Sequence, residues 1–157
     1  MEALDGFAGT DVWLLDAGRC CRALAESATH GGRHVILQEY LPAVADGNKR
    51  LFLVDGEIAG AVHRRPSDDD FRIGPPVAAA PLDASDHRIA QALAPTLLAH
   101  GIAIAGLDVI DGRLIEVNVT CPGGMHKTDA LLGTDLSGLI VRRLLAPSAP
   151  TPEELPS

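Results

Sequence analysis

The stretch Gly106–Thr120, GLDVIDGRLIEVNVT, decides how the chain folds. Two apolar runs flank Asp111-Gly112, a dipeptide in which both residues accept positive φ, so the stretch predicts a β-hairpin. On the second arm, alternation sets Leu114, Glu116 and Asn118 on one face and Ile115, Val117 and Val119 on the other. The second face reads as core, which leaves an acid and an amide two residues apart on the first. Where Asp108 falls depends on the turn. A two-residue loop pairs 110 with 113 and sets Asp108 opposite Ile115, on the wrong side. A three-residue loop, Asp111 to Arg113, pairs 110 with 114 and brings Asp108 opposite Glu116, and such loops are a regular hairpin class. In that register two carboxylates and an amide oxygen converge, and like charges at cross-strand distance require something positive between them. Oxygen donors without sulfur or imidazole suit Mg²⁺ or Mn²⁺ and leave positions for water and phosphate oxygens. The competing reading is a solvated sheet face, since half-exposed antiparallel strands alternate apolar and polar as a rule.

Working outward, a second Asp-Gly dipeptide, Asp55-Gly56, divides NKRLFLVDGEIAGAVHRR into another hairpin. DVWLLDA (Asp11 to Ala17) and HVILQEYL (His34 to Leu41) read as strands, with GRCCRALAESATHGG as a short helix between them, closed by Gly31 and Gly32. PSDDDFRIGPPVAAAP (Pro66 to Pro81) has no period and reads as a long loop, its Asp68–Asp70 run solvated. DASDHRIAQALAPTLLAHG reads as a helix capped by Asp83 or Ser85, kinked at Pro95 and ended by Gly101. A last helix covers TDLSGLIVRRLLA, with Thr134 or Asp135 as cap. The Pro-rich, acidic residues 146–157 are expected to be a disordered tail after a single partial domain over 1–145. Strand, helix, strand, hairpin, loop, helix, hairpin, helix is an α+β order, with an antiparallel sheet and helices packed on one side.

Composition narrows the function classes. A chain of 157 residues with 46% hydrophobic and 22% charged residues supports one soluble globular domain. Its net charge of −8 excludes a nucleic-acid surface built on Lys and Arg. No apolar run has transmembrane length and MEALDGFAG lacks a signal peptide's pattern, so a cytoplasmic location is expected, with no membrane partner. Three cysteines, Cys20, Cys21 and Cys121, form neither a metal knuckle nor an even disulfide set, and read as reduced thiols. The scattered histidines read as surface or capping residues.

QEYLPAVADGNKRLFLVDGE, RRPSDDDFRIG and GLDVIDGRLIEVNVTCPGG, in this order and spacing, resemble the C-terminal part of bacterial glutathione synthase, of the ATP-grasp superfamily. The resemblance runs from about Leu4 to Leu145. It implies an ATP-grasp fold and, position by position, a set of roles. Asp108, Glu116 and Asn118 match the Mg²⁺-binding residues. Gln38, Glu39, Tyr40 and Leu41 match the segment lining the adenine pocket, and Asp46 lies near the ribose. Arg50 and Arg64 match arginines at the phosphates and the acyl phosphate, and Arg72 one in a mobile loop. Arginine suits this work, being permanently charged and able to hold two oxygens at once.

The activity implied is ATP-dependent ligation. The γ-phosphoryl of ATP passes to the carboxylate of γ-glutamylcysteine, and the amine of glycine displaces phosphate to form the amide, with metal and arginines stabilising charge. Several positions depart from the family. Its lysine in the strand and loop over the nucleotide falls at Glu2, where a carboxylate reverses the local Coulomb term. IGPPVAAAP (Ile73 to Pro81) stands where the family carries an asparagine and several glycines, with Gly74 a departure near the substrate, Cys121 stands where serine is usual, and His126 where an arginine often faces substrate. Complete enzymes of the family carry an additional N-terminal domain and the first ATP-grasp subdomain. Two further readings follow: a non-catalytic ATP- and metal-binding remnant that works with a partner chain or as a homo-oligomer, and a ligase for other acids and amines.

Overall fold

The two Asp-Gly dipeptides set the sheet. Asp55 and Gly56 have φ of 49° and 80°, Asp111 and Gly112 of 48° and 68°, so both make two-residue turns with two positive φ values, the geometry that matches strand twist. A computed structural model describes residues 1–3, 12–15, 21–67 and 69–146. Its elements are β1 (Glu2–Ala3), α1 (Cys21–Ala28), β2 (Val35–Ile36), β3 (Asn48–Val54), β4 (Glu57–Pro66), β5 (Ile73–Ala79), α2 (Ala84–Ala99), β6 (Ile104–Ile110), β7 (Arg113–Asn118), α3 (Met125–Leu132) and α4 (Leu136–Leu145). Short 3₁₀ turns occupy His30–Gly32 and Pro42–Asp46. Strands β5-β4-β3-β6-β7 form one sheet in that order, and β1 pairs with β2 apart from it. All described strand pairs are antiparallel.

Alternation along β3 divides the core. Leu51 and Leu53 point to one face, where Leu107 and Val109 of β6 join Ala90 and Leu97 of α2 in a cluster almost closed to solvent. Phe52 points to the other and packs with Val62 and with Leu136 of α4, flanked by Met125 and Leu132 of α3. The architecture is α+β, as the element order implies. In addition to the expected helix layer on one side, α3 and α4 cover part of the opposite face and leave its other part open.

Helix α2 is capped by Asp83, whose carboxylate accepts from the N–H of Ser85 and Asp86 while Asp86 returns a bond to the Asp83 N–H. Lys49 of β3 reaches both acids, at 3.0 Å from Asp83 and 2.5 Å from Asp86, fixing the helix start to the sheet. The helix runs unbroken through Pro95. Asp135 caps α4.

Four expectations need correction. The region read as a loop from Pro66 to Pro81 contains β5. Pro75 and Pro76 are tolerated there because β5 is an edge strand, where a missing N–H disturbs no second ladder. The strand expected over His34–Leu41 is confined to Val35–Ile36, since among the described residues no neighbouring strand offers a ladder beyond Ile36. The turn at Asp111 has two residues, with Ile110 opposite Arg113 and Val109 opposite Leu114. A strand over Asp11–Ala17 is absent at the described residues apart from an isolated bridge of Val12 with Glu2. Asp11, Asp16, Ala17, Cys20, Asp68 and the tail from Pro147 lie outside the described residues.

Candidate functional site

The two-residue turn alone would have put Glu116 on the α2-covered side. A β-bulge reverses this: the register shifts after Val109–Leu114, leaves Ile115 without a partner and resumes with Asp108 opposite Glu116 and Gly106 opposite Asn118. One inserted residue changes the parity of the strand, which is what a bulge does near a site. The carbonyl of Ile115 accepts a bond from Gln38 Nε2 at 3.1 Å, so the bulge also anchors the Gln38–Leu41 segment to β7. Of the apolar face expected on β7, Val117 joins the core, whereas Ile115 borders the open face and Val119 is exposed.

Cross-strand pairing then lines up a row over the open face: Val62 of β4, Arg50 of β3, Asp108 of β6, Glu116 of β7. Both carboxylate oxygens of Asp108 are held by arginines. Arg50 Nε donates to Oδ1 and Arg50 Nη2 to Oδ2 at 2.7 Å, a bidentate grip, and Arg64 Nη2 donates to Oδ2 at 2.7 Å. Arg50 Nη1 also donates to the Gly123 carbonyl at 3.1 Å, and Arg64 Nε to Asn48 Oδ1 at 3.1 Å. Gly106 makes room for this arrangement. A Cβ there would lie 3.3 Å from Arg50 Cδ and 3.1 Å from Pro122 Cβ.

The electrostatics follow from burial and neighbours. Burial opposes ionisation of Asp108, which is 3% exposed, but the bonds and charges of Arg50 and Arg64 outweigh it and hold its pKa below the ordinary value. Arg50 suffers burial too, yet its bonds to Asp108 leave its pKa raised, while burial dominates for Arg64 and lowers it. Glu116 behaves oppositely to Asp108. Part of it reaches solvent, but the surrounding walls desolvate it, and the Asp108 carboxylate adds repulsion, so its pKa is raised. Glu2 is also raised, first by desolvation and against the pull of the N-terminus, with Asp108 adding a smaller push in the same direction.

These residues line one cleft of about 990 Å³. Gln38, Glu39, Tyr40 and Leu41 form one wall and Arg72 borders it, with Arg50, Arg64, Asp108, Glu116 and Asn118 on its floor. Arg72 stands away from the arginine pair. It bonds Asp70 at 3.1 Å, donates to the Val12 carbonyl at 3.1 Å and lies 5.6 Å from the ring centre of Phe71. Asp46 is not brought into the group. It is exposed at the end of a 3₁₀ turn and does not line the cleft.

A hard divalent cation needs several oxygen donors converging on one spot. Among the described residues no three His, Cys, Asp or Glu side chains gather in a metal-binding group, so any cation would rely on an amide. Asn118 supplies one whose donor end is unused, since its Nδ2 is buried without a hydrogen-bond partner. The two ends of an amide exchange by rotation, which would present oxygen to the same spot. Glu116 and Asn118 therefore fit as oxygen ligands, whereas both carboxylate oxygens of Asp108 are already bonded by Arg50 and Arg64.

Sequence reasoning missed Asn48, which steadies Arg64, and the cleft-lining Lys127 and Thr128 of α3. The only signal for α3 in the sequence is the helical spacing of Met125 and Leu132, with no capping side chain ahead of it.

With this geometry in place, comparison with known proteins is decisive. The family described as prokaryotic glutathione synthetase, ATP-grasp domain, matches residues 1–133. This chain belongs to that family. Proteins named glutathione synthetase from Thermosynechococcus vestitus, Synechococcus elongatus and Prochlorococcus marinus are 42%, 40% and 44% identical to it, over 93%, 93% and 92% of the chain. They are covered over 48%, 47% and 49% of their own lengths, so the chain spans about half the length of the curated relatives it matches. The described helices include none long and apolar enough to cross a membrane.

Proposed function

We propose that this chain forms the nucleotide- and metal-binding part of a glutathione synthase-like ligase, which binds Mg-ATP and joins γ-glutamylcysteine to glycine through an acyl phosphate. The observation that carries the reading is the row Arg50–Asp108–Glu116 with Arg64 beside it, at the floor of a cleft walled by Gln38–Leu41. In this reading Gln38, Glu39, Tyr40 and Leu41 contact the base, and Arg50 and Arg64 face the phosphates as the charge moves to the acyl phosphate. Asp108 holds both guanidiniums in place, so that they are oriented before substrate arrives. Glu116 and Asn118, with Asp108, hold Mg²⁺, which when bound neutralises phosphate charge. Arg72 guards the rim of the cleft. A role for Asp46 at the ribose requires the Pro42–Asp46 turn to move toward the cleft.

A second reading is supported by Glu2, which lines the cleft as a carboxylate and is electrostatically coupled to Asp108. Negative charge there opposes phosphate, which favours a non-catalytic nucleotide- and metal-binding chain that acts with a partner. Calorimetric titration with Mg-ATP separates the elements of the proposal. Wild type is expected to bind, and Glu116→Ala to bind at least tenfold more weakly. Absence of binding by wild type refutes a nucleotide site, and equal binding by both refutes the metal assignment. Turnover of γ-glutamylcysteine and glycine with release of phosphate distinguishes the ligase from the binding module.

A further inference from the structure

The wall of the cleft at Leu37–Tyr40 has little to hold it. The pairing of β2 with β1 ends at Ile36, and the next 3₁₀ turn begins at Pro42. Between them, among the described residues, no backbone hydrogen bond joins Leu37–Tyr40 to another segment, although all four residues line the cleft. The tie that remains is a side chain. Gln38 Nε2 donates to the Ile115 carbonyl at 3.1 Å, across 77 positions of sequence.

The acceptor lies where it bears on the other end of the site. Ile115 is the residue that the bulge leaves unpaired, and β7 is the outer strand of its sheet, so no second ladder fixes it. A bulge bends and twists a strand, and at an edge it keeps that freedom unless something holds it. The Ile115 carbonyl belongs to the planar peptide unit that leads into Glu116. The Gln38 bond therefore sets the plane of that unit, and with it the direction in which Glu116 leaves the strand. One solvent-accessible hydrogen bond thus joins the wall of the cleft to its acidic edge.

We propose that Gln38 is a positioning residue that couples the two, so that a nucleoside on the wall and a divalent cation at Glu116 bind cooperatively without touching one another. The inference rests on the ligase reading, which puts the base at Gln38–Leu41 and the cation at Glu116. Two effects give the coupling its sign. A base seated on the wall keeps water from the Gln38–Ile115 bond, and a hydrogen bond is electrostatically stronger away from water. Ordering the wall and the bulge costs conformational entropy once, so the ligand that arrives second meets a site already ordered. By linkage each ligand raises the affinity of the other by the same factor. That factor is about three- to tenfold, in keeping with the net worth of a single hydrogen bond.

The test is amide NMR of the ¹⁵N-labelled chain with Mg²⁺ and with adenosine, which has no phosphate to chelate the metal, each titrated alone and at saturation of the other. Adenosine is expected to move the Tyr40 and Leu41 signals and also Glu116, and Mg²⁺ to move Glu116 and Asn118 and also the Gln38 side-chain amide. Each ligand should bind about threefold more tightly, or better, in the presence of the other. Gln38→Met, which keeps the length of the side chain and loses the donor, is expected to retain the responses at Tyr40, Leu41 and Asn118 while the mutual factor falls to one. A factor of one in wild type, or the same factor in wild type and Gln38→Met, overturns the coupling and leaves the ligase reading standing. Equal weakening of both ligands in Gln38→Met with the factor unchanged overturns it too, as the mark of a merely structural residue. Absence of the adenosine response at Tyr40 and Leu41, or of the Mg²⁺ response at Glu116, refutes the base wall or the cation site of the ligase reading, and the coupling falls with it.

Discussion

Asp108 and Glu116 face one another across two strands, carry the same charge, and do opposite things to the fold. Asp108 is a buried anion held by two buried cations, so removing its charge strands Arg50 and Arg64 beside each other in a poorly solvated site. Asp108→Asn is expected to lower stability by about 3–5 kcal/mol, the usual result of breaking a buried ion cluster from one side, measured by urea unfolding. Glu116 has a raised pKa, and the sign of its effect follows. A folded-state pKa above the unfolded one means that the protonated form is favoured in the fold, and the advantage disappears as pH rises through the raised value. At neutral pH the charged Glu116 is therefore a burden on the fold. Glu116→Gln is expected to leave the melting temperature unchanged or slightly higher, while Mg-ATP affinity falls at least tenfold, about 1.4 kcal/mol. Thermal melts and calorimetry on the same preparation check both halves. A fall in melting temperature to match the lost affinity would mean that Glu116 is a structural residue.

At the scale of elements, the site depends on places where backbone and side chain come unusually close. Gly106 of β6 lies under Arg50, and Gly106→Ala inserts a methyl 3.1 Å from Pro122 Cβ and 3.3 Å from Arg50 Cδ. Overpacking of this kind costs about 1–3 kcal/mol, and displacement of Arg50 should weaken nucleotide binding in the same variant; a substitution that shifts neither urea midpoint nor affinity would show that the guanidinium does not need the space. The junction of α3 and α4 turns on Asp129, which accepts from Leu136 N–H, Ser137 N–H, Ser137 Oγ and Thr134 Oγ1. Desolvation pushes its pKa up, but the four bonds together outweigh it and lower the pKa to about 2 from an ordinary 3.8. Because the folded value is depressed, the stabilisation is complete above the unfolded pKa and is lost as pH falls from about 3.8 toward about 2. Asp129→Ala is expected to cost about 1–2 kcal/mol at neutral pH, as other lost helix caps do, and to flatten that limb of the stability-against-pH curve.

The same elements show what the sequence makes legible. Both hairpins are readable because Asp-Gly between apolar runs has few alternatives, whereas spacing alone leaves the facing of Asp108 and Glu116 open against a solvated sheet face, and the resemblance to glutathione synthase is what favours it. How the chain achieves that facing is not readable. An extra residue in the turn and an extra residue in the strand restore the same parity, and only the fold shows that Ile115, bonded by Gln38, is the one taken. Strand β5 is hidden because its prolines are acceptable only at an edge, and edge position is a property of the whole sheet. Helix α3 is hidden because two glycines precede it in place of a capping side chain.

For the whole molecule, the balance of charge and exposed apolar surface bears on association. The chain covers about half the length of its curated relatives, and several large apolar side chains are open to solvent: Leu37 at 72%, Val141 at 54% and Leu145 at 79% exposure. Scattered single residues would mean little, but Leu37 and the exposed Tyr40 both line the cleft, and Val141 and Leu145 lie one helical turn apart on α4. A net charge of −8 opposes the approach of two copies. Association through these faces should therefore strengthen as salt screens the repulsion, the reverse of what a salt-bridged interface would do. Sedimentation velocity across a concentration series at low and high salt is expected to show a reversible shift toward larger species, greater at high salt. Val141→Lys with Leu145→Lys should reduce it if α4 is the contact, and Leu37→Lys if the cleft wall is. A monodisperse monomer at every concentration and salt level would refute self-association and leave a different polypeptide as the occupant of those faces.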